Sequence, residues 1–253
     1  MTKIGTTTMS SAKRQEGFWE TVHTLVYAVV IAIVIRTFLF EPFNIPSGSM
    51  IPTLLVGDYL FVSKYSYGYS KHSFPFSAAP FEGRIMESLP ERGDVIVFKL
   101  PSDEKIDYIK RVIGLPGDTI RMQDGRLFIN GELVEREAVG EYEYRNTYGS
   151  VLRPMRYLEK LPGGKEHYIL EEGDNRRLDN TPEFKVPEGH YFMMGDNRDN
   201  SLDSRANVGF VPAENFVGRA EFLFFSTDGT ASLWQIWRWP FATRFSRFFS
   251  GIE

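Results

Sequence analysis

Apolar residues are distributed along this chain in two different ways. From Leu25 to Ile35 every residue is apolar, and after Arg36 and Thr37 the run resumes with Phe38-Leu39-Phe40. Taken with Phe18 and Trp19, the stretch 18–40 is 23 residues long, about 34 Å as a helix at ~1.5 Å per residue, enough to cross a bilayer. Beyond residue 41 the pattern changes to short apolar, β-branched or aromatic runs. The strands predicted from them are Tyr59–Lys64, Val95–Leu100, Tyr108–Leu115, Thr119–Gln123, Leu127–Ile129, His167–Leu170, Tyr191–Met194 and Val217–Phe225. Gly-Asp pairs at 57–58, 93–94, 117–118, 173–174 and 195–196 punctuate them. Asn130-Gly131 between two apolar runs predicts a hairpin. No long 3.6-residue period runs between 41 and 225, so the fold class expected is mainly β, an antiparallel catalytic sheet behind a single N-terminal transmembrane helix.

The apolar run has two rival readings, a buried core helix and a cleaved signal peptide whose core is ~7–15 residues. Against cleavage, Arg-Thr-Phe-Leu-Phe-Glu-Pro follows the core with no small-x-small site. Residues 18–40 are therefore read as an uncleaved anchor. Lys3, Lys13 and Arg14 precede it against Glu16 and Glu20, which places a flexible tail, 1–17, in the cytosol and residues 41–253 in the periplasm of a bacterial inner membrane. Residues from about 135 to 189 are more polar and read as a smaller inserted β/loop region. Gly-Asp-Asn-Arg occurs at 173–176 and again at 195–198, too short a match to establish a duplication.

Composition adds exclusions. There is no cysteine among the 253 residues, which removes disulfides, cysteine nucleophiles and thiolate zinc sites. The isoelectric point near 5.7 argues against a nucleic-acid partner. Residues 41–253 hold 25 basic against 31 acidic side chains, a net of −6. Aromatic residues make up 15% of the chain, and many gather at 231–253, where Trp234, Trp237, Trp239, Phe241, Phe245, Phe248 and Phe249 alternate with Arg238, Arg244 and Arg247. That segment reads either as an interfacial stretch against lipid headgroups or as a terminal element docked on the β core.

Several common catalytic motifs are absent: Gly-x-Ser-x-Gly, His-Glu-x-x-His and the phosphate-binding Gly-x4-Gly-Lys-Ser/Thr loop. The four histidines, His23, His72, His167 and His190, are scattered. Three segments stand out instead. In Phe43–Leu54, Pro46 and Pro52 stiffen a loop that carries Ser47, Gly48 and Ser49 between apolar neighbours. An ordinary Ser/Gly turn joining anchor to domain accounts for that composition as well. In Asp107–Asp118 a strand would place Lys110 between Tyr108 and Val112 on one face. Desolvation there would favour a neutral amine able to act as a base, although an edge-strand lysine is the simpler account. Met193–Arg205 is dense in hydrogen-bonding groups. It lacks an EF-hand's Gly and Glu placement, and Arg198 and Arg205 oppose a cation, so it reads as a rigid side-chain network with no metal.

Together these segments resemble the type I signal peptidase (leader peptidase) family. The order is anchor, Pro-Ser-Gly-Ser-Met-x-Pro-Thr-Leu, Gly-Asp-Tyr-Leu, Arg-Gly-Asp-Val-Ile-Val-Phe, Asp-Tyr-Ile-Lys-Arg-Val-Ile-Gly-Leu-Pro-Gly-Asp and Gly-Asp-Asn-Arg-Asp-Asn-Ser-x-Asp-Ser-Arg. The resemblance spans about 36 to 211 and covers the insert and C-terminal tail least. It implies a Ser-Lys dyad serine endopeptidase with Ser49 as nucleophile and Lys110 as general base. It implies an oxyanion hole of the Ser49 N–H and Ser47 hydroxyl. Ser201 would orient Lys110, Gly195 would leave room for the lysine stem, and Asp196–Arg111 and Asp203–Arg205 would be supporting ion pairs. Phe43, Ile45, Met50, Leu54, Tyr108 and Ile109 would line a substrate groove suited to small residues of the Ala-x-Ala type. No cofactor is implied. The partners implied are signal-peptide-bearing preproteins, the lipid bilayer and the protein export machinery. Two rivals remain: a Ser-Lys protease with a narrow or self-cleavage substrate, and a non-catalytic periplasmic β-domain that binds extended peptides by strand addition.

Overall fold

A computed structural model describes residues 9–74, 77, 81, 83–146, 148–231 and 234–252, with side chains from Phe18 onward. Helix α1 runs Met9–Phe38, nine residues earlier than the apolar pattern alone predicts. Residues 10–16 contain no proline or glycine and are mostly good helix formers, so a helix nucleated in the apolar run propagates back through them. Residues 1–8 of the expected tail lie outside the described residues. The part from Phe18 to Phe38 is long and apolar enough to cross a membrane and is exposed along most of its length; only its last turn meets the protein, where Thr37 is buried and Phe38 packs on Tyr69 and Phe74.

The helix feeds directly into a sheet. Strand β1 is Phe40–Asn44, β2 Asp58–Ser63, β3 Val95–Leu100 and β4 Asp103–Gly114. There follow β5 Thr119–Gln123, β6 Arg126–Ile129, β7 Glu132–Leu133, β8 Glu135–Glu141, β9 Tyr144–Arg145, β10 Val151–Leu152, β11 Met155–Lys160 and β12 Glu166–Glu171. Strands β13 Phe184–Lys185, β14 His190–Met194, β15 Val211–Pro212 and β16 Phe216–Ser226 complete the set. The main sheet has the order β1-β2-β16-β3-β4-β14-β15, with every pair antiparallel. The mainly β class read from the sequence therefore holds. The polar stretch 135–189 is richer in strands than its composition suggests: β8, β11 and β12 form a three-stranded sheet, and β13 joins β5, β6 and β7 in a four-stranded sheet. The predicted hairpin at Asn130-Gly131 is present, pairing Phe128 with Leu133.

The Gly-Asp pairs fall into two kinds. Gly57, Gly93 and Gly117 have φ of 88°, 93° and 88°, a region that glycine occupies without a Cβ penalty. The aspartate after each accepts the N–H three residues upstream, from Leu55, Glu91 and Leu115. Gly173 and Gly195 are not in that region. The repeated Gly-Asp-Asn-Arg segments also differ, 195–198 being wholly buried and 174–176 exposed, which speaks against a duplication.

Apolar clusters lie on both faces of the main sheet. Ile45, Met50, Leu54, Leu60, Val62 and Val97 form one, and Tyr67, Ile96, Phe98, Val112, Tyr191, Met193 and Phe216 another. A third, including Ile113, Ile120, Leu127 and Phe192, joins β4 and β14 to the β5–β7 sheet. The aromatic excess also has a place. Phe40 meets Phe61, Phe61 meets Phe224, and Tyr59 links Phe224 to Phe225, which reaches Phe248 of the C-terminal tail. This ladder runs from the end of α1 to the tail. The tail itself is docked by charge and strand-like contacts: Arg247 binds the fully buried Asp58 at 2.6 Å, and Leu223 exchanges backbone hydrogen bonds with Phe249 and Ser250.

Gly218 lies where β16 crosses β2. A Cβ there would sit 2.2 Å from the Ser63 carbonyl oxygen and 2.8 Å from a Val62 methyl. Gly218→Ala should destabilise the fold by ~1–3 kcal/mol, read as a lower chemical-denaturation midpoint in detergent; an unchanged midpoint would contradict this packing.

Candidate active site

Ser49 follows β1 in a tight loop. Met50 accepts the Leu54 N–H, closing one helical turn, and both side chains anchor it in the core at 1% and 0% exposure. That anchoring corrects one expectation: Met50 and Leu54 back the groove from beneath and do not line it. Four of the expected groove residues, Phe43, Ile45, Tyr108 and Ile109, do line it, together with Ser47, Ser49 and Lys110. The groove has a volume of about 490 Å³.

Lys110 arrives from β4, which lies between β3 and β14. Lys110 itself pairs only with β3, yet its side chain is buried and turned to Ser49, whereas a lysine that blunts a sheet edge faces solvent. The Lys110 Nζ is 2.7 Å from Ser49 Oγ and 2.9 Å from the Ile109 carbonyl oxygen, with the Tyr108 ring centre 5.3 Å away. Burial lowers the amine from the ordinary lysine range to about 8, against the opposing pull of the Asp203 and Asp196 carboxylates. An amine that is neutral at slightly alkaline pH and hydrogen-bonded to a serine hydroxyl can take up its proton. The Ser49 N–H donates to no described residue, and the exposed Ser47 stands beside it at the groove.

The Ser49 loop is gripped from the far side by the segment after β14. Asn197 donates its N–H to the Ser49 carbonyl at 3.0 Å and its side-chain amide to the Gly48 carbonyl at 3.0 Å. Thr53 Oγ1 donates to Asp196 Oδ2 at 2.6 Å. Arg111 grips Asp196 through Nε at 2.9 Å and Nη2 at 2.8 Å, both residues being buried. That pairing is the first charge to hold the Asp196 carboxyl below the ordinary range against its burial. Asp203 is likewise paired with Arg205, through Nε at 3.0 Å and Nη2 at 2.9 Å, and is held low.

Two expected positions sit differently from the implied roles. The Lys110 amine does not hydrogen-bond Ser201, which is buried beside Gly195. A Cβ on Gly195 would lie 2.3 Å from Ser201 Oγ and 2.5 Å from the Ser49 carbonyl oxygen. The space Gly195 leaves is taken by the serine loop and Ser201, with no atom of the lysine stem among its nearest neighbours.

Sequence reasoning missed Thr53 and Asn197, whose contacts span 143 and about 150 positions, and the layer beneath them. There Arg198 pairs with Glu159 at 2.9 Å, and His167 lies 3.8 Å from Asp196. Burial first, and Arg111 second, lower the His167 imidazole to about 3, so it stays neutral between these charges. The insert was also underestimated. Tyr144, Arg145, Asn146 and Tyr148 line the groove opposite Ile109, and the Tyr144 hydroxyl accepts from Asn197 at 3.0 Å. Strand β14 pairs with β4 only at Arg111, Val112 and Gly114. From Asp107 to Lys110, therefore, β4 pairs on one side only, with β3, and offers a free strand edge beside the groove.

With this geometry in view, comparison with known proteins is informative. A family model described as "Signal peptidase, peptidase S26" matches residues 18–225. The signal peptidase I of Rickettsia typhi is 46% identical over 212 residues, covering 81% of this chain and 79% of that protein. The signal peptidase I of Rickettsia conorii is 43% identical over 231 residues, covering 88% and 83%. A crystal structure of a signal peptidase I from Enterococcus faecalis V583 is 28% identical, covers 52% of this chain and 97% of that one, and has a TM-score of 0.32.

The buried Arg111–Asp196 pair allows a stability prediction. Arg111→Met leaves a buried carboxylate without its partner and should cost ~3–5 kcal/mol in chemical denaturation. Adding Asp196→Asn should recover part of that loss; a double variant no more stable than Arg111→Met would contradict the pairing.

Proposed function

The chain belongs to the signal peptidase family, peptidase S26, and is a serine endopeptidase of the signal peptidase I type acting on preproteins; we propose that Ser49 is its nucleophile and Lys110 its general base. The observation that carries the reading is the 2.7 Å hydrogen bond between a buried amine, lowered to about 8, and a serine hydroxyl in the groove. Neutral Lys110 takes the Ser49 proton as Oγ attacks the scissile carbonyl. The oxygen that becomes negative is met by the Ser49 N–H and the Ser47 hydroxyl. As the intermediate collapses, Lys110 returns the proton to the leaving amine, and it then activates the water that releases the acyl group.

Specificity follows from the walls. An extended peptide can add to the free edge of β4 at 107–110, with Phe43, Ile45, Tyr108 and Ile109 bounding shallow pockets that favour alanine over larger side chains. The rival non-catalytic peptide binder gives no reason to bury a lysine against the serine.

Placement completes the proposal. The basic residues Lys3, Lys13 and Arg14 keep the N-terminus cytosolic, and the catalytic region, 41–253, faces the periplasm. Ser49 is nine residues beyond Phe40, at most about 30 Å of chain from the membrane exit. In the tail, Trp234, Trp237, Phe241, Phe245 and Phe249 are exposed while Arg247 is tied to Asp58. This arrangement suits a docked segment that turns its aromatic side to the lipid interface.

Cleavage of a preprotein with an Ala-x-Ala site by the purified chain tests the dyad. Ser49→Ala and Lys110→Met should each lose at least ~10⁴-fold in kcat/KM while keeping the native circular dichroism. For the unmodified enzyme, kcat/KM should rise about tenfold per pH unit up to about 8 and level off above it, because the base works only when deprotonated. An active Lys110→Met, or a profile flat between pH 6 and 9 (roughly the window around the amine's titration), would overturn the proposal.

A further inference from the structure

Behind the catalytic segment, three carboxylates from separate parts of the chain converge. Glu171 ends β12, Asp179 sits in the turn that follows it, and Asp199 lies in the short 3₁₀ turn Arg198–Asn200. One oxygen from each lies within 4.8 Å of the others. Glu171 and Asp179 are 2% and 0% exposed. Three carboxylates so placed repel one another unless a positive charge lies between them.

What distinguishes this cluster from an ordinary acidic patch is how its oxygens are used. Asp179 Oδ2 accepts the Arg176 N–H at 2.6 Å, and Asp199 Oδ2 accepts the Glu172 N–H at 2.6 Å. Glu171 Oε1 receives Arg136 at 3.4 Å. The remaining oxygen of each residue, Glu171 Oε2, Asp179 Oδ1 and Asp199 Oδ1, is buried and takes no hydrogen bond. Buried polar atoms are normally satisfied, so three bare oxygens, one per carboxylate, call for a shared partner. Arg198 is held by Glu159, and Arg136 is divided between Glu171 and Asp174; Arg205 is held by Asp203 through Nε and Nη2, while its Nη1 is buried without a partner.

We propose that Glu171, Asp179 and Asp199 form a site for one hard divalent cation, calcium by preference, which ties the catalytic segment to the inserted β-region. An all-oxygen donor set with three negative charges selects hard cations. Calcium binds oxygen at ~2.4 Å, so one ion can reach oxygens up to ~4.8 Å apart, whereas magnesium at ~2.1 Å demands a tighter and more regular arrangement. Asp199 also lines a pocket of about 220 Å³, together with Arg176, Arg177 and Ser201. Asp199 is two residues beyond Asn197, which holds the Ser49 and Gly48 carbonyls. The cation would brace that segment without touching the reacting atoms. The Ser49–Lys110 reading plays no part in this argument.

The test uses the full chain in detergent, freed of metal with EDTA and desalted, and needs no activity measurement. Titration calorimetry with CaCl2 should show one site per chain with a Kd of ~10⁻⁴–10⁻³ M, the range of calcium modules outside the cytosol. Saturating CaCl2 should raise Tm by ~2–4 °C. Glu171→Gln and Asp179→Asn should each abolish both effects. MgCl2 should bind more weakly. Absence of calcium binding up to ~5 mM, or binding and Tm shifts that persist in both variants, would overturn the site. Magnesium binding as tight as calcium would overturn the choice of ion. If one variant fails to fold, the titration of the native chain and the other variant decide the matter.

Discussion

A single buried amine sets the conditions for the rest of the structure. Lys110 Nζ is held 2.7 Å from Ser49 Oγ by a strand whose neighbours exclude water. An ammonium group in such a place costs several kcal/mol unless a carboxylate pairs with it. The two nearest carboxylates, Asp196 and Asp203, are each gripped by an arginine. With both occupied, the amine forms no ion pair, and burial outweighs the pull of the two carboxylates and brings it down to about 8. The arginine pairs thus serve the lysine indirectly: an unpaired Asp196 or Asp203 would compete for it and keep it charged.

The same segments that neutralise the surroundings also hold the serine. Asp196 takes Thr53, Asn197 takes the carbonyls of Gly48 and Ser49, and Met50 and Leu54 sink the loop into the core. Gly195 is needed because the serine loop and Ser201 fill the space a side chain would occupy. The insert contributes as well, since Leu170 of β12 donates to the Asp196 carbonyl and Tyr144 supports Asn197. Rigidity of the pair is therefore shared between the main sheet and the inserted sheets. On the other side, the aromatic ladder from Phe40 to Phe248 joins β1, which follows the apolar N-terminal helix, to the tail.

Legibility in the sequence followed the range of the interactions. Strands were readable because alternation and Gly-Asp turns are local: Val95–Leu100 and Thr119–Gln123 match the structure at both ends. Ser49 and Lys110 stood out through local stiffness and apolar neighbours, and the family pattern assigned them roles. What escaped was long-range or compositionally disguised. Thr53 and Asn197 look like ordinary loop residues until folding brings Thr53 to Asp196 and Asn197 to Gly48. The insert hid its strands behind glutamates and arginines, because β8 faces solvent along most of its length. Met50 and Leu54 were assigned to the groove through the family resemblance, and a matching motif position does not separate the wall of a groove from the core packed beneath it. The helix ran back to Met9 because apolarity marks where a membrane could lie and not where hydrogen bonding stops.

The central claim is that burial keeps the Lys110 amine near the point of deprotonation while its carboxylate neighbours are held by arginines. Heteronuclear NMR of the chain labelled with ¹³C at lysine Cε, assigned through Lys110→Met, reads that amine directly. The account predicts that Lys110 titrates with a midpoint of about 8, apart from exposed lysines titrating at about 10.4. A Lys110 resonance that titrates together with those exposed lysines would contradict it.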